Sequence, residues 1–284
     1  MMKKSDLWLK KLSGHNILKI IFWDIKTGIL VIWKWMVFAV LLQIVLIIPR
    51  LQFIRQGAWG EMAMQICTYI WEGIPGFIHA GQGVIFRIPM EWYLIQISSL
   101  FVSAFYPVMD YNERGYQFLL RAGSRGSWWK SKLVWVVFST IIFFMLLAGA
   151  FFCTELVVSA IGVSGGGSDL WRCIGTFSML KKVQLFFILP VACAMTQNII
   201  GFVLCMEKGI ISAFIVSILL IISAVYFENP FLWWNYCMIT RNKWVAQNAE
   251  MDAGVGLLYM FFLSILLCIW EYRRFIEKDT VRNC

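Results

Sequence analysis

The chain has 284 residues, 60% of them apolar and 17% aromatic, with only 14% Asp, Glu, Lys and Arg. Soluble domains carry about 25% charged residues, so this composition excludes an ordinary soluble enzyme or binding module and points to a helical membrane protein. A net charge of +9 raises nucleic acid as a partner, but the cations sit in the connections between apolar runs rather than in one patch, and no nucleic-acid binding is expected.

The first 27 residues hold six lysines and no early apolar core, so no cleavable signal peptide is expected. Residues 16–26, NILKIIFWDIK, read as an N-terminal interfacial helix. Ile17, Ile20, Ile21 and Ile25 share one face, while Lys19 and Lys26 reach toward headgroups; the competing reading is a plain extension of the first span. Apolar runs at 28–48, 91–109, 133–159, 183–206, 209–227 and 254–270 are each close to the ~20 residues that cross about 30 Å of hydrocarbon. In lipid such runs must be helices, because every backbone polar group needs an internal partner. The expectation is one all-α membrane domain over 1–284 with six transmembrane helices.

Segment 62–86 is apolar enough to compete as a further span. Gly73, Pro75, Gly76, Gly81 and Gly83 make it a broken or re-entrant stretch instead. With six spans, 16 of the 25 Lys and Arg fall on the side that carries both termini. The positive-inside rule then makes that side cytosolic.

Ionisable and amide groups within the spans are the candidate pathway residues. Lys34, flanked by Trp33 and Trp35, either snorkels to the interface or lines a cavity. Gln43, Gln96, Thr196, Gln197 and Asn198 either bond helix to helix or face a pathway, and Ser98, Ser99 and Ser103 share those options. Glu155 lies about 33 Å along its helix from Leu133, which places it at the far headgroups and not as a buried acid. Pro190 is expected to kink the fourth span.

Enzymatic chemistry finds no constellation. The eight cysteines contain no Cys-x-x-Cys, which argues against zinc and redox sites. His15 and His79 fall on opposite sides, so no metal site is expected. Gly165-Gly166-Gly167-Ser168-Asp169 is not followed by Lys-Ser or Lys-Thr and reads as a connector, not a phosphate loop.

The most informative polar stretch is 110–132, DYNERGYQFLLRAGSRGSWWKSK, with five cations against two carboxylates. Its interior, 115–121, reads as one or two helical turns ended by Gly123, a short amphipathic docking element at the cytosolic surface.

Here a resemblance enters. Pro107-Val-Met-Asp110, Glu113-Arg-Gly115, Phe118-Leu-Leu-Arg121, Gly123-Ser-Arg125 and Trp128-Trp-Lys-Ser-Lys132 together resemble the cytoplasmic loop of type-2 ABC transporter permeases, most of all a group found in low-GC Gram-positive bacteria. Ile88-Pro-Met-Glu-Trp92 and Asn235-Tyr-Cys-Met238 with Arg241 are similar to further fragments of that group. Where the family commonly has Pro before Ser-Arg, this chain has Ala122-Gly123, which implies a more open turn.

The resemblance implies a permease subunit of an ATP-driven exporter in the bacterial cytoplasmic membrane, moving a peptide, antibiotic or other amphipathic substrate. It implies pairing with a second copy or a homologous permease, and with a separate ABC ATP-binding subunit that holds ATP and Mg; this chain holds no cofactor. The loop between spans 2 and 3 is then the coupling helix. Tyr116, Phe118 and Leu119 would be its apolar anchors. Arg114, Arg121 and Arg125 would pair with the ATPase, and Asp110, Glu113, Gly115, Ser124 and Lys132 would complete the interface. Residues 228–253, rich in Trp and Tyr, form a lid by the same resemblance or an interfacial aromatic belt by composition. A non-transporting peptide-immunity or sensor protein and an ion channel remain the other readings.

Overall fold

The computed structural model describes residues 3–54, 60–74, 88–122, 125–162, 168–246 and 249–277, with side chains from Ile17 onward except those of 52, 53 and 113–122. Among the described residues there is no strand, and the long elements are α-helices: α1 (Lys3–Ile47), α3 (Met90–Ala122), α4 (Arg125–Ile161), α7 (Leu189–Lys208), α8 (Ile210–Tyr226) and α9 (Ala253–Glu277). Shorter helices α2 (Glu61–Trp71), α5 (Asp169–Gly175) and α6 (Met179–Val183) lie between them. Five segments are long and apolar enough to cross a membrane: Ile17–Leu51, Met90–Asn112, Arg125–Ile161, Met179–Lys208 and Ala253–Glu277. The chain is thus a multi-pass helical membrane protein. The run expected as a further span at 209–227 is α8, whose 17 residues cover about 25 Å, short of a full bilayer core. Of segment 62–86, residues 62–74 are described and are helical to Trp71; the expected break at Pro75, Gly76, Gly81 and Gly83 lies outside the described residues.

The expected interfacial helix is not a separate element. Residues 16–26 belong to the 45-residue α1, and the reason is the spacing of its buried side. Asp24, Gly28, Ile32, Met36, Val40, Gln43 and Ile47 are buried in turn, one every three or four residues, so a single stripe runs unbroken from the polar segment into the apolar one. Gly28 does not interrupt it, because the Trp135 ring of α4 packs where a Cβ would stand. The other faces of α1, with Leu30, Phe38, Leu41 and Val45, are exposed apolar surface suited to lipid.

Two prolines sit inside helical runs, and each has its own remedy. Pro107 in α3 leaves the Ser103 carbonyl without its i+4 donor. The Trp135 indole N–H donates to that carbonyl at 3.1 Å, so α3 continues through the proline. Ahead of Pro190 the chain widens into a π-helical stretch, Gln184–Ile188. The expected kink is met by a π-bulge, a common way to absorb a missing N–H.

Antiparallel helices define two ends of the bundle. Asp24, Asp110, Lys132, Glu207 and Arg274 lie at one, called here the basic end. The distal end holds α2, α5, α6 and residues 227–246 and 249–252. There Arg241 is wholly buried and closes the C-terminus of α8, donating to the carbonyls of Ala224 (2.6 Å) and Val225 (2.8 Å) and to Ile74 beyond α2 (2.9 Å). It also donates to the Asn235 side chain, whose amide donates to Phe227 and Asn229 carbonyls. A cation at a helix C-terminus satisfies carbonyls that have no helical donor.

Candidate functional site

The densest charged chemistry lies inside the basic end. Lys132 of α4 reaches Asp24 of α1 at 2.8 Å and Asp110 of α3 at 2.7 Å, with all three side chains at 2% exposure or less. Tyr106 donates to Asp24 at 2.9 Å and accepts from Lys132 at 3.4 Å; Ser131 donates to the other Asp24 oxygen. The Lys132 ammonium also stands 4.4 Å from the centroid of the Tyr106 ring. Two carboxylates facing one ammonium give the cluster a formal charge of −1. Burying such charges costs several kcal/mol per ion unless pairing and hydrogen bonds offset it, and here α1, α3 and α4 each supply part of the offset. The cluster joins the three helices at one point.

A second tie brings in α9. Trp128 stacks on Phe275 with ring centroids 5.4 Å apart, and Trp129 meets Tyr272 edge-on at 5.6 Å. Lys130 lies 5.4 Å from the Tyr272 ring centroid. Arg274 pairs with Glu207 in the last turn of α7. The first two turns of α4 are therefore held from both sides.

Between these ties lies the connection from α3 to α4. α3 stays helical to Ala122, ten residues past the end of its apolar segment at Asn112, about 15 Å of helix. The helical turn expected within 115–121 is continuous with α3 and not a separate short helix. The side chains of Glu113, Arg114, Tyr116, Phe118, Leu119 and Arg121 lie outside the described residues, as do Gly123 and Ser124; Gly115 is described only as helical backbone. Arg125 is half-buried in the first turn of α4. Asp110 and Lys132, expected at the docking surface, point into the bundle instead. At the root of a helix pair they face the third helix, α1, and its Asp24 takes the ammonium.

The mid-membrane polar residues separate into used and unused groups. Thr196, Gln197 and Asn198 are consecutive on α7, hence about 100° apart around it, and each finds a different neighbour. Thr196 meets Ser264 of α9 at 3.1 Å. Gln197 accepts from the Trp234 indole at 3.0 Å. Asn198 donates to Ser99 of α3 and Thr140 of α4, both at 2.8 Å. These are interhelical bonds of the ordinary kind. Gln43 of α1 and Gln96 of α3 are fully buried, and neither amide has a hydrogen-bond partner among the described residues. Lys34 is exposed on the outside of α1, 5.9 Å from the Trp33 ring centroid, which suits a snorkelling anchor.

Glu155 overturns its expectation. It is 4% exposed and accepts the Gly60 N–H at 2.7 Å. The length of α4 did carry it to the distal end, but α2 begins there, and Gly60, at φ +83°, aims its N–H at the carboxylate. The residue that sequence reasoning missed is Asp24. Its signal was its place in the i+4 series that leads to Ile47. Compared with family models, curated proteins and solved structures, the chain matches none.

Proposed function

We propose that this chain is the membrane-spanning subunit of an ATP-driven exporter of the type-2 ABC class, working as a pair with itself or a homologous permease. The observation that carries the reading is the helical projection of residues 113–122, clamped at both roots. On the α3 side it starts just past Asp110. On the α4 side it returns through Arg125 to Trp128 and Lys132. A partner that grips the projection can move α1, α3 and α4 as one body, since the Asp24–Lys132–Asp110 cluster leaves no slack between them. α9 follows through the Trp128–Phe275 stack. The basic sequence of the loop and its apolar Tyr116, Phe118 and Leu119 suit a cytosolic ATPase surface as hot-spot anchors.

ATP and Mg would be held by that ATPase subunit. The cargo class is an amphipathic peptide or antibiotic. Gln43 and Gln96, the interior amides that the bundle does not use, are the residues assigned to its path. Buried polar groups without protein partners are rare in folded chains and favour contact with another molecule.

The test is co-purification with a co-expressed ATPase of the ABC class, and ATP-driven efflux from vesicles containing both. Phe118→Asp with Arg121→Glu is expected to abolish co-purification and reduce flux at least about tenfold, the loss of one or two anchors worth 2 kcal/mol or more. Unchanged co-purification and flux overturn the coupling assignment. Peptide binding without ATP-dependent flux in the unmodified pair selects the sensor reading instead.

A further inference from the structure

An apolar groove of about 170 Å³ opens at the distal end between α2, α4 and the α6 region. Cys67 and Trp71 of α2, Phe151 of α4 and Phe186 of the π-helical stretch are among its walls, and Lys182 stands at its rim. Its size is that of a cavity that admits benzene, about 150 Å³, so it takes a stretch of hydrocarbon of roughly six carbons.

The rim carries charge that the chain does not neutralise. Lys182 donates to the Gly175 carbonyl at 2.9 Å and lies 5.4 Å from the Trp171 ring centroid. Lys181, the preceding residue of α6, lies outside the groove lining, 5.4 Å from the Trp244 ring centroid and 5.7 Å from that of Phe177. Among the described residues no carboxylate is within ion-pair distance of either lysine, and nearby Asp169 is paired with Arg172 at 3.7 Å. Aromatic rings beside lysines at the end of a membrane helix mark the headgroup level.

We infer that this groove binds one acyl chain of an anionic phospholipid, with the headgroup phosphate on Lys181 and Lys182. The hydrocarbon wall alone does not select a lipid, because bilayer tails are as apolar as the groove. Selection comes from the two ammoniums, each worth a factor of about five toward an anionic lipid at a membrane surface. Retention comes from the fit of the chain among rigid aromatic side chains. The inference needs only that the bundle sit in a bilayer. It survives if the ATPase coupling proposed above fails, and fails independently of it.

The test is native mass spectrometry of the full chain released from nanodiscs of phosphatidylcholine alone or mixed with phosphatidylglycerol. The unmodified protein is expected to keep one phosphatidylglycerol with a preference of roughly tenfold or more over phosphatidylcholine. Lys181→Gln with Lys182→Gln should remove the preference, and Ala148→Phe, which fills the groove wall, should remove the bound lipid; thermal melting checks that both variants are folded. Inorganic phosphate should not compete. Equal retention of the two lipids by the unmodified protein overturns the inference, as does undiminished lipid on folded Ala148→Phe, displacement by phosphate alone, or a dimer that Ala148→Phe dissociates.

Discussion

Lys132 is the residue on which the basic end depends most. Replacing it with Met leaves Asp24 and Asp110 buried and facing each other without a cation, and breaking a buried pair in this way costs about 3–5 kcal/mol. Lys132→Met is expected to lower the thermal midpoint in detergent sharply. Adding Asp24→Asn and Asp110→Asn should recover much of the loss, because a neutral trio no longer carries the desolvation cost of charge. A triple variant no better than the single one would show that packing of the lysine stem, and not charge, holds the helices. Lys132 stood out in the sequence as the cation closing a basic loop, but its role did not. Asp24 is 108 residues away, and no local pattern links an acid in one helix to a base in another. At Glu72, outside the spanning helices, burial raises the carboxyl above its ordinary range, and the nearby Arg50 charge opposes this only in part. A raised folded value means the folded chain holds that proton more tightly than the unfolded one. The contribution is therefore fully present at acid pH and is lost as pH rises through the folded value. Glu72→Gln should raise the melting temperature at pH 7 and leave it unchanged near pH 4; a gain at both would assign the effect to something other than ionisation.

Arg241 organises an element, the segment 227–246 at the distal end. With Thr240, whose N–H and hydroxyl both donate to the Glu72 carbonyl at 3.1 and 2.9 Å, it fastens this segment to α8 and to the end of α2. Gly73 makes the fit possible: it turns at φ +72° with Met238 packed where a Cβ would stand. Arg241→Met removes several charge-assisted bonds at once, each worth about 1.5–3 kcal/mol. Cys237, buried within the segment and accepting from the Trp92 indole at 3.1 Å, then reports its opening. Maleimide labelling of Cys237 should accelerate at least about tenfold, the factor for 1.4 kcal/mol; an unchanged rate would mean the segment is held elsewhere. The helices around this segment were largely visible as apolar runs with the right lengths. The segment's fastening was not, since composition alone reads its Trp and Tyr as an interfacial belt. Only the fold brings Arg241 to the end of a helix 15 residues upstream of it. The merging of residues 16–26 into α1 was within reach, because the buried stripe keeps its spacing through Asp24 and Gly28, but the Ile and Lys pattern on the other faces masked it.

The molecule's orientation turns on α8. Five helices meet the length of a bilayer, and an odd number of crossings would put the two ends of the bundle's chain on opposite sides of the membrane. Yet Asp24 near the start and Phe275 near the end both pack against the opening turns of α4, through Lys132 and Trp128. They can do so only if α8 carries the chain from the basic end back to the distal one. Its 17 residues are about 5 Å shorter than a ~30 Å core. That mismatch is of a size bilayers absorb by local thinning, at fractions of a kcal/mol per Å, and the extended residues after Tyr226 lengthen the path. Lys208→Cys and Asn229→Cys, flanking α8, are therefore expected to react with an impermeant maleimide from opposite faces of the membrane. On the positive-inside rule Asn229→Cys should label in intact cells and Lys208→Cys only after permeabilisation, in a background where the exposed Cys153 and Cys173 are replaced by Ser. Labelling of both from one face would mean that α7 crosses and α8 does not, leaving five crossings. The projection at 113–122 and the final helix would then no longer share a compartment, and the six-pass arrangement on which a cytosolic coupling helix depends would be lost.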